Sequence, residues 1–165
     1  MLTNARLVYQ PRDHERCVNA ALAQASALCA DRGVRMTAVR ETVLKLLWQS
    51  HKPLSAYQLK DQLSEISGKS VAPPTVYRAL EFLLDQGFVH RIPSLNAFVG
   101  CPFPNSEHSN IFLICDQCHR VGEIADRQIN QLFEQRSNKI NFKLRTKIIE
   151  LFGLCPNCTN RNKDE

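Results

Sequence analysis

The chain has 165 residues, 44% of them hydrophobic, and carries a formal net charge of +5, enough for one medium domain or two small ones. No apolar stretch approaches the length of a membrane span, and Met1 to Gln10 lack the basic start and long apolar run of a secretory signal. With an odd count of seven cysteines, these features point to the cytoplasm, where thiols stay reduced and favour metal over disulfide. Residues 1–100 hold twelve Lys and Arg against eight Asp and Glu, whereas residues 101–165 hold nine against eight. The first half is therefore the one suited to a polyanion.

In chain order, the alanine-rich run from Glu15 to Asp31, with Leu22, Ala25 and Leu28 at helical spacing and Gly33 as a stop, predicts a first helix. Thr37 caps a second, whose apolar positions Val39, Val43, Leu46 and Leu47 share a face. Pro53 and Ser55 end that helix and start a third through Tyr57, Leu59 and Leu63, closed by Gly68. Pro73 and Pro74 open a fourth with Val76, Ala79, Leu80, Leu83 and Leu84 inward and Gly87 at its end. Phe88–Pro93 and Ala97–Cys101 read as strands of a hairpin turning at Ser94-Leu95-Asn96. Strands over Ile111–Ile114 and Val121–Ile124, a helix over Asp126–Lys139 and a strand over Phe142–Leu151 follow, the last because Phe142, Leu144 and Ile148 alternate with Lys143, Arg145 and Lys147.

The expected fold class is α+β. A winged helix-turn-helix domain spans 1–97, a hinge 98–109, and a small α/β domain 110–165. A separate domain of that size is marginal without a metal or a partner.

Two C-x-x-C doublets, Cys115-Asp116-Gln117-Cys118 and Cys155-Pro156-Asn157-Cys158, carry the clearest chemistry. Four thiolates at these spacings suit a tetrahedral structural zinc that staples both ends of the second domain. The competing accounts are unrelated buried cysteines or disulfides of a secreted protein. In a helix-turn-helix the recognition helix offers its first residues to base edges and phosphates. Here that start is Pro73-Pro74-Thr75-Val76-Tyr77-Arg78. Val76 and Leu80 would anchor it, leaving Thr75, Tyr77 and Arg78 outward, with Arg78 able to read guanine and Tyr77 able to meet a thymine methyl or a phosphate. The bland alternative is a solvated helix start.

His90 and Cys101 lie equally far from a hairpin centre between Leu95 and Asn96, which would set their side chains opposite each other. With His108 and Glu123 they form a second candidate zinc set of N, S and O donors. An inert cysteine with surface histidines fits the spacing as well. Cys17 and Cys29 are expected to pack in the first helix, and His14, His51 and His119 to lie on the surface. No nucleophile elbow, phosphate loop or paired-carboxylate signature points to an enzyme.

The run from Pro73 to Leu80, followed by Phe82-Leu83, Gly87-Phe88-Val89 and the two doublets, resembles the ferric uptake regulator superfamily from about Ala20 to Cys158. Within it the chain is most similar to the zinc uptake regulator branch: the iron sensors' His-His-Asp-His run is absent, and the matching loop reads Asn105-Ser106-Glu107-His108. The resemblance implies a homodimeric, zinc-loaded transcriptional repressor of zinc-uptake genes that binds double-stranded operator DNA, with no membrane and no small organic substrate among its partners. It assigns Cys115, Cys118, Cys155 and Cys158 to structural zinc and His90, Cys101, His108 and Glu123 to regulatory zinc, about two ions per chain. The DNA-facing residues are then Tyr57, Pro73, Thr75, Tyr77 and Arg78. An iron- or peroxide-responsive regulator of the same superfamily is the alternative function.

Overall fold

Caps and apolar stripes set the helices of the first half as the sequence predicts. The computed structural model describes residues 14–50, 52–105 and 110–161, in two compact units that part after Asn105. The first unit holds α1 (His14–Asp31), α2 (Ala38–Ser50), α3 (Ala56–Ser67), α4 (Pro73–Asp85), β1 (Val89–Ile92) and β2 (Ala97–Gly100). Ser55 caps α3 reciprocally with Gln58, satisfying two backbone donors that the helix cannot, and Gly68 ends it at φ 65. Prolines at the first two positions of α4 remove donors that would otherwise need a cap. Ala25, Cys29, Val43, Leu44, Leu47, Leu59, Val76, Leu80 and Leu83 pack into one core.

The wing departs from its expected register. Pro93–Leu95 form a 3-10 turn and Asn96 takes a left-handed conformation at φ 44, so the loop uses four residues and Ile92 pairs with Ala97. His90 consequently faces Val99 rather than Cys101. A proline cannot donate to the ladder and asparagine tolerates positive φ, which moves the centre of the hairpin. Leu54 and Phe98 exchange backbone hydrogen bonds of 3.0 and 2.9 Å, which fasten the wing to the helices. β2 runs to Gly100.

The second unit is a three-stranded sheet, β3 (Ile111–Cys115), β4 (Val121–Ile124) and β5 (Ile149–Gly153), with α5 (Arg127–Lys139) and the short α6 (Pro156–Arg161). Strand order is β4-β3-β5, with β4 antiparallel and β5 parallel to β3. Asp126 caps α5 by accepting from Gln128 N at 2.8 Å. The strand expected over Phe142–Leu151 is displaced: residues 143–148 have no regular structure and pairing starts at Ile149, whose N donates to Asn110 O at 3.0 Å. Phe142 and Ile148, the apolar residues that suggested the strand, are exposed.

Candidate metal centres and nucleic-acid interface

The turn after β3 and the first residues of α6 bring the two doublets together. Cys115 ends its strand, His119 N donates back to Cys115 O at 2.9 Å through a turn in which His119 takes φ 59, and Asp116 N donates to Gly153 O at 2.9 Å. On the other side, Cys158 N and Thr159 N reach Cys155 O at 3.0 and 2.9 Å. The sulfurs of Cys115, Cys118, Cys155 and Cys158 all lie within 4.8 Å of one another, and Cys118 Sγ stands 3.7 Å from Cys155 Sγ. Thiolates about 2.3 Å from a tetrahedral zinc are about 3.8 Å apart, so the ligands need little movement to hold the ion.

The electrostatics suit it as well. Burial works against a Cys115 thiolate, but donors around it, the N–H groups of Cys118, Cys155 and Gln117 and the Cys118 thiol, together outweigh burial and lower the group to about 6. Cys155 N donates to that sulfur at 3.3 Å. Burial, followed by hydrogen bonds with neighbouring thiols, pushes Cys158 up to about 12, and burial also raises Cys118. Cys115 thus forms a thiolate readily, whereas Cys118 and Cys158 need a cation to do so. The N–H groups of Gln117 and Cys155 were not singled out from the sequence; the doublet spacing itself, which folds into a turn with amides aimed at the first sulfur, was their signal.

On the wing, Cys101 N donates to Phe88 O at 2.8 Å, so Cys101 stands opposite Phe88 and His90 is its diagonal neighbour on the same face. The ligand atoms of His90 and Cys101 nevertheless lie within 4.8 Å, since imidazole and thiol both reach across a diagonal. Phe103 N donates to Cys101 Sγ at 3.3 Å. A half-buried imidazole and a buried thiol are donors that zinc accepts. Glu123 belongs to the other unit, where it pairs with Phe112 and is only 5% exposed. A carboxylate so buried is stable when hydrogen bonds, a cation or a metal offset its desolvation. His108 and His51 fall outside the described residues. His119 is exposed, Cys29 packs in the core, and Cys17 is half-buried on α1.

The start of α4 divides into a buried and an exposed face. Val76, Ala79 and Leu80 are buried, whereas Pro73, Thr75, Tyr77 and Arg78 are exposed. Tyr57, at the start of α3, is 72% exposed and lies 5.0 Å from the Lys60 ammonium. An exposed ring beside an ammonium can stack on a base or meet a phosphate.

A model of the ferric uptake regulator family matches residues 31–152. The chain is 43% identical over 138 residues to the zinc uptake regulation protein of Escherichia coli K12, covering 83% of this chain and 80% of that protein. Its fold is similar to that of a zinc uptake regulator complexed with zinc and DNA, with TM-score 0.83, 39% identity, and coverage of 88% of this chain and 97% of the other. It is also similar to holo XcZur, with TM-score 0.79, 42% identity, and coverage of 86% and 99%. Among the described residues, no helix is long and apolar enough to cross a membrane.

Proposed function

Because this chain belongs to the ferric uptake regulator family, we propose that it is a zinc-responsive transcriptional repressor that binds operator DNA as a zinc-loaded homodimer and controls zinc-uptake genes. The observation that carries this reading is the His90 and Cys101 pair. It places zinc-compatible donors on the wing of the DNA-binding unit itself, apart from the doublet cluster that closes the second unit. A single thiolate among imidazole and carboxylate donors suits zinc, whereas non-haem Fe(II) is typically held by imidazole and carboxylate donors without a thiolate, which argues against the iron-responsive alternative.

The doublet cysteines hold a structural ion, and His90, Cys101, His108 and Glu123 hold a regulatory one, for about two zinc ions per chain. When bound at the second set, zinc supplies a cation that holds its nitrogen, sulfur and oxygen donors in one geometry. The chain's own residues supply the rest. The buried face of α4 keeps its exposed start presented, Arg78 offers a planar donor fork to guanine or phosphate, and Thr75 and Tyr77 flank it. A coupling of about 1–3 kcal/mol per site is enough to turn occupancy into a several-fold to hundred-fold change in DNA affinity. Dimerisation falls to the second unit, where Leu151, Phe152 and Leu154 of β5 and the residue after it leave large apolar surface exposed. The proposed setting is the cytoplasm, and no catalytic role is part of the reading.

The test uses a duplex selected from a random-sequence pool by the zinc-loaded protein. Wild type should bind it more tightly as zinc is titrated in. Cys101→Ser should stay folded, keep about one zinc per chain and lose that response. A full zinc response in Cys101→Ser would overturn the assignment.

A further inference from the structure

Arg32 lies just past α1 and far in sequence from every residue assigned so far, yet it reaches both chain segments that carry the wing's metal donors. Its Nη1 donates to Gln86 O at 2.7 Å and to Gln86 Oε1 at 3.2 Å, and its Nη2 donates to Pro104 O at 3.3 Å. The guanidinium also sits 5.6 Å from the centre of the Phe88 ring. Gln86 is the residue that caps the end of α4, and the chain from it runs directly through Gly87, Phe88 and Val89 to His90. Pro104 lies three residues past Cys101. One side chain thus ties the end of the recognition helix to the segment by which the chain leaves the unit.

Closing α1 does not require the guanidinium. The backbone does that, through Arg32 N to Leu28 O at 3.0 Å, Gly33 N to Ala30 O at 3.1 Å and Val34 N to Cys29 O at 2.9 Å. The geometry is that of a planar fork spanning two carbonyls, which arginine provides and lysine does not, with a positive charge at a helix C-terminus, where the macrodipole favours it. Between Cys101 and Asn105 the chain is stiff: Pro102 and Pro104 fix two φ angles, and Phe103 N is tied to Cys101 Sγ at 3.3 Å. A segment held at Pro104 therefore moves with whatever holds Cys101.

We propose that Arg32 is a positioning residue that couples zinc occupancy at the wing to the placement of α4. The inference rests on the reading of His90 and Cys101 as regulatory zinc donors. Without Arg32, the donors remain, because His90 is held by the β1–β2 ladder and Cys101 by its bond to Phe88 O. What is lost is the tether that makes the exit segment and the end of α4 one body.

The experiment compares full-length wild type, Arg32→Ala, Arg32→Lys and Cys101→Ser for zinc per chain, and for affinity to the selected duplex with zinc added and with a chelator that leaves only the tightly held ion. Arg32→Ala should keep the wild-type zinc count and the wild-type affinity under chelation, while its zinc-driven gain in duplex affinity falls about 2- to 30-fold. Arg32→Lys should not restore the gain. By reciprocity, the duplex should tighten zinc binding less in both variants than in wild type. An undiminished gain in Arg32→Ala overturns the proposal. So does an equal loss of affinity with and without zinc, or loss of fold in both variants, since either would assign Arg32 to stability alone. If Cys101→Ser keeps its zinc response, it is the reading of the metal site that has failed. If Cys101→Ser loses the response and Arg32→Ala keeps it, only the role of Arg32 has.

Discussion

Replacing Cys118 by serine removes one of the four sulfurs that the second unit gathers within 4.8 Å, and the consequence is set by how little else holds that unit. Among the described residues, its buried apolar side chains outside the thiols are those of the sheet, Ile111, Phe112, Ile114 and Val121, and α5 contributes none. At about 0.05–0.15 kcal/mol per residue, a unit spanning residues 110–161 has on the order of 3–8 kcal/mol of stability. A structural zinc contributes about 10–16 kcal/mol of apparent binding free energy near neutral pH. The ion is thus worth more than the unit's expected net stability, and a three-thiolate remnant should not keep it folded. Purified Cys118→Ser should lose the tightly held zinc by mass spectrometry, lose sheet signal by circular dichroism, and elute as a monomer. Trp48 supplies the internal control: it is the chain's single tryptophan and packs against the helical core of the first unit, so its emission should stay as in wild type. A Cys118→Ser protein that remains dimeric, folded and fully zinc-loaded would refute the argument that the doublets staple this unit.

Much of this fold was legible because its signals are local. Ser55 with Gln58, Pro73-Pro74 and Gly68 mark helix ends through capping chemistry that needs no tertiary information, and two C-x-x-C doublets constrain a metal geometry by spacing alone. The His90 and Cys101 pair was found for a reason that failed in detail. Symmetry about Leu95 and Asn96 made them direct partners, whereas the Pro93–Leu95 turn shifts the register by two residues and makes them diagonal ones. A shift by an even number preserves the face, which is why the pair survived the error. The strand placed over Phe142–Leu151 failed differently. Alternation there records apolar side chains that the single chain leaves exposed, and periodicity reports that a residue is buried somewhere, not whether its own chain buries it. Arg32 carried no local signal at all, because its hydrogen-bond partners lie 54 and 72 residues away and two of the three bonds go to backbone carbonyls, which residues of any type would offer.

Arg78→Ala should weaken binding to the selected duplex by about 1–3 kcal/mol if Arg78 reads a base, with zinc content and dimer unchanged; equal losses on selected and random duplexes would assign it to phosphate instead. At Gly100, an added Cβ would stand 2.6 Å from Trp48 Cε2, so Gly100→Ala should cost about 1–3 kcal/mol through overpacking and shift the Trp48 emission, and an unchanged melting temperature would contradict it. The last expectation concerns the apolar edge of β5. Phe152 is 54% exposed on β5, and Leu151 and Leu154 beside it are 47% and 49% exposed, on an edge strand whose outer backbone groups β3 does not use. An edge that is both apolar and open is a liability unless a second chain covers it. Phe152→Asp would place a charge in that contact, where an unpaired buried carboxylate costs several kcal/mol, enough to shift a micromolar or nanomolar dimer to monomer at assay concentrations. Sedimentation should show a monomer that keeps its doublet zinc and its Trp48 emission but loses high-affinity binding to the selected duplex; a Phe152→Asp protein that sediments as a dimer with wild-type affinity would place the interface on another face.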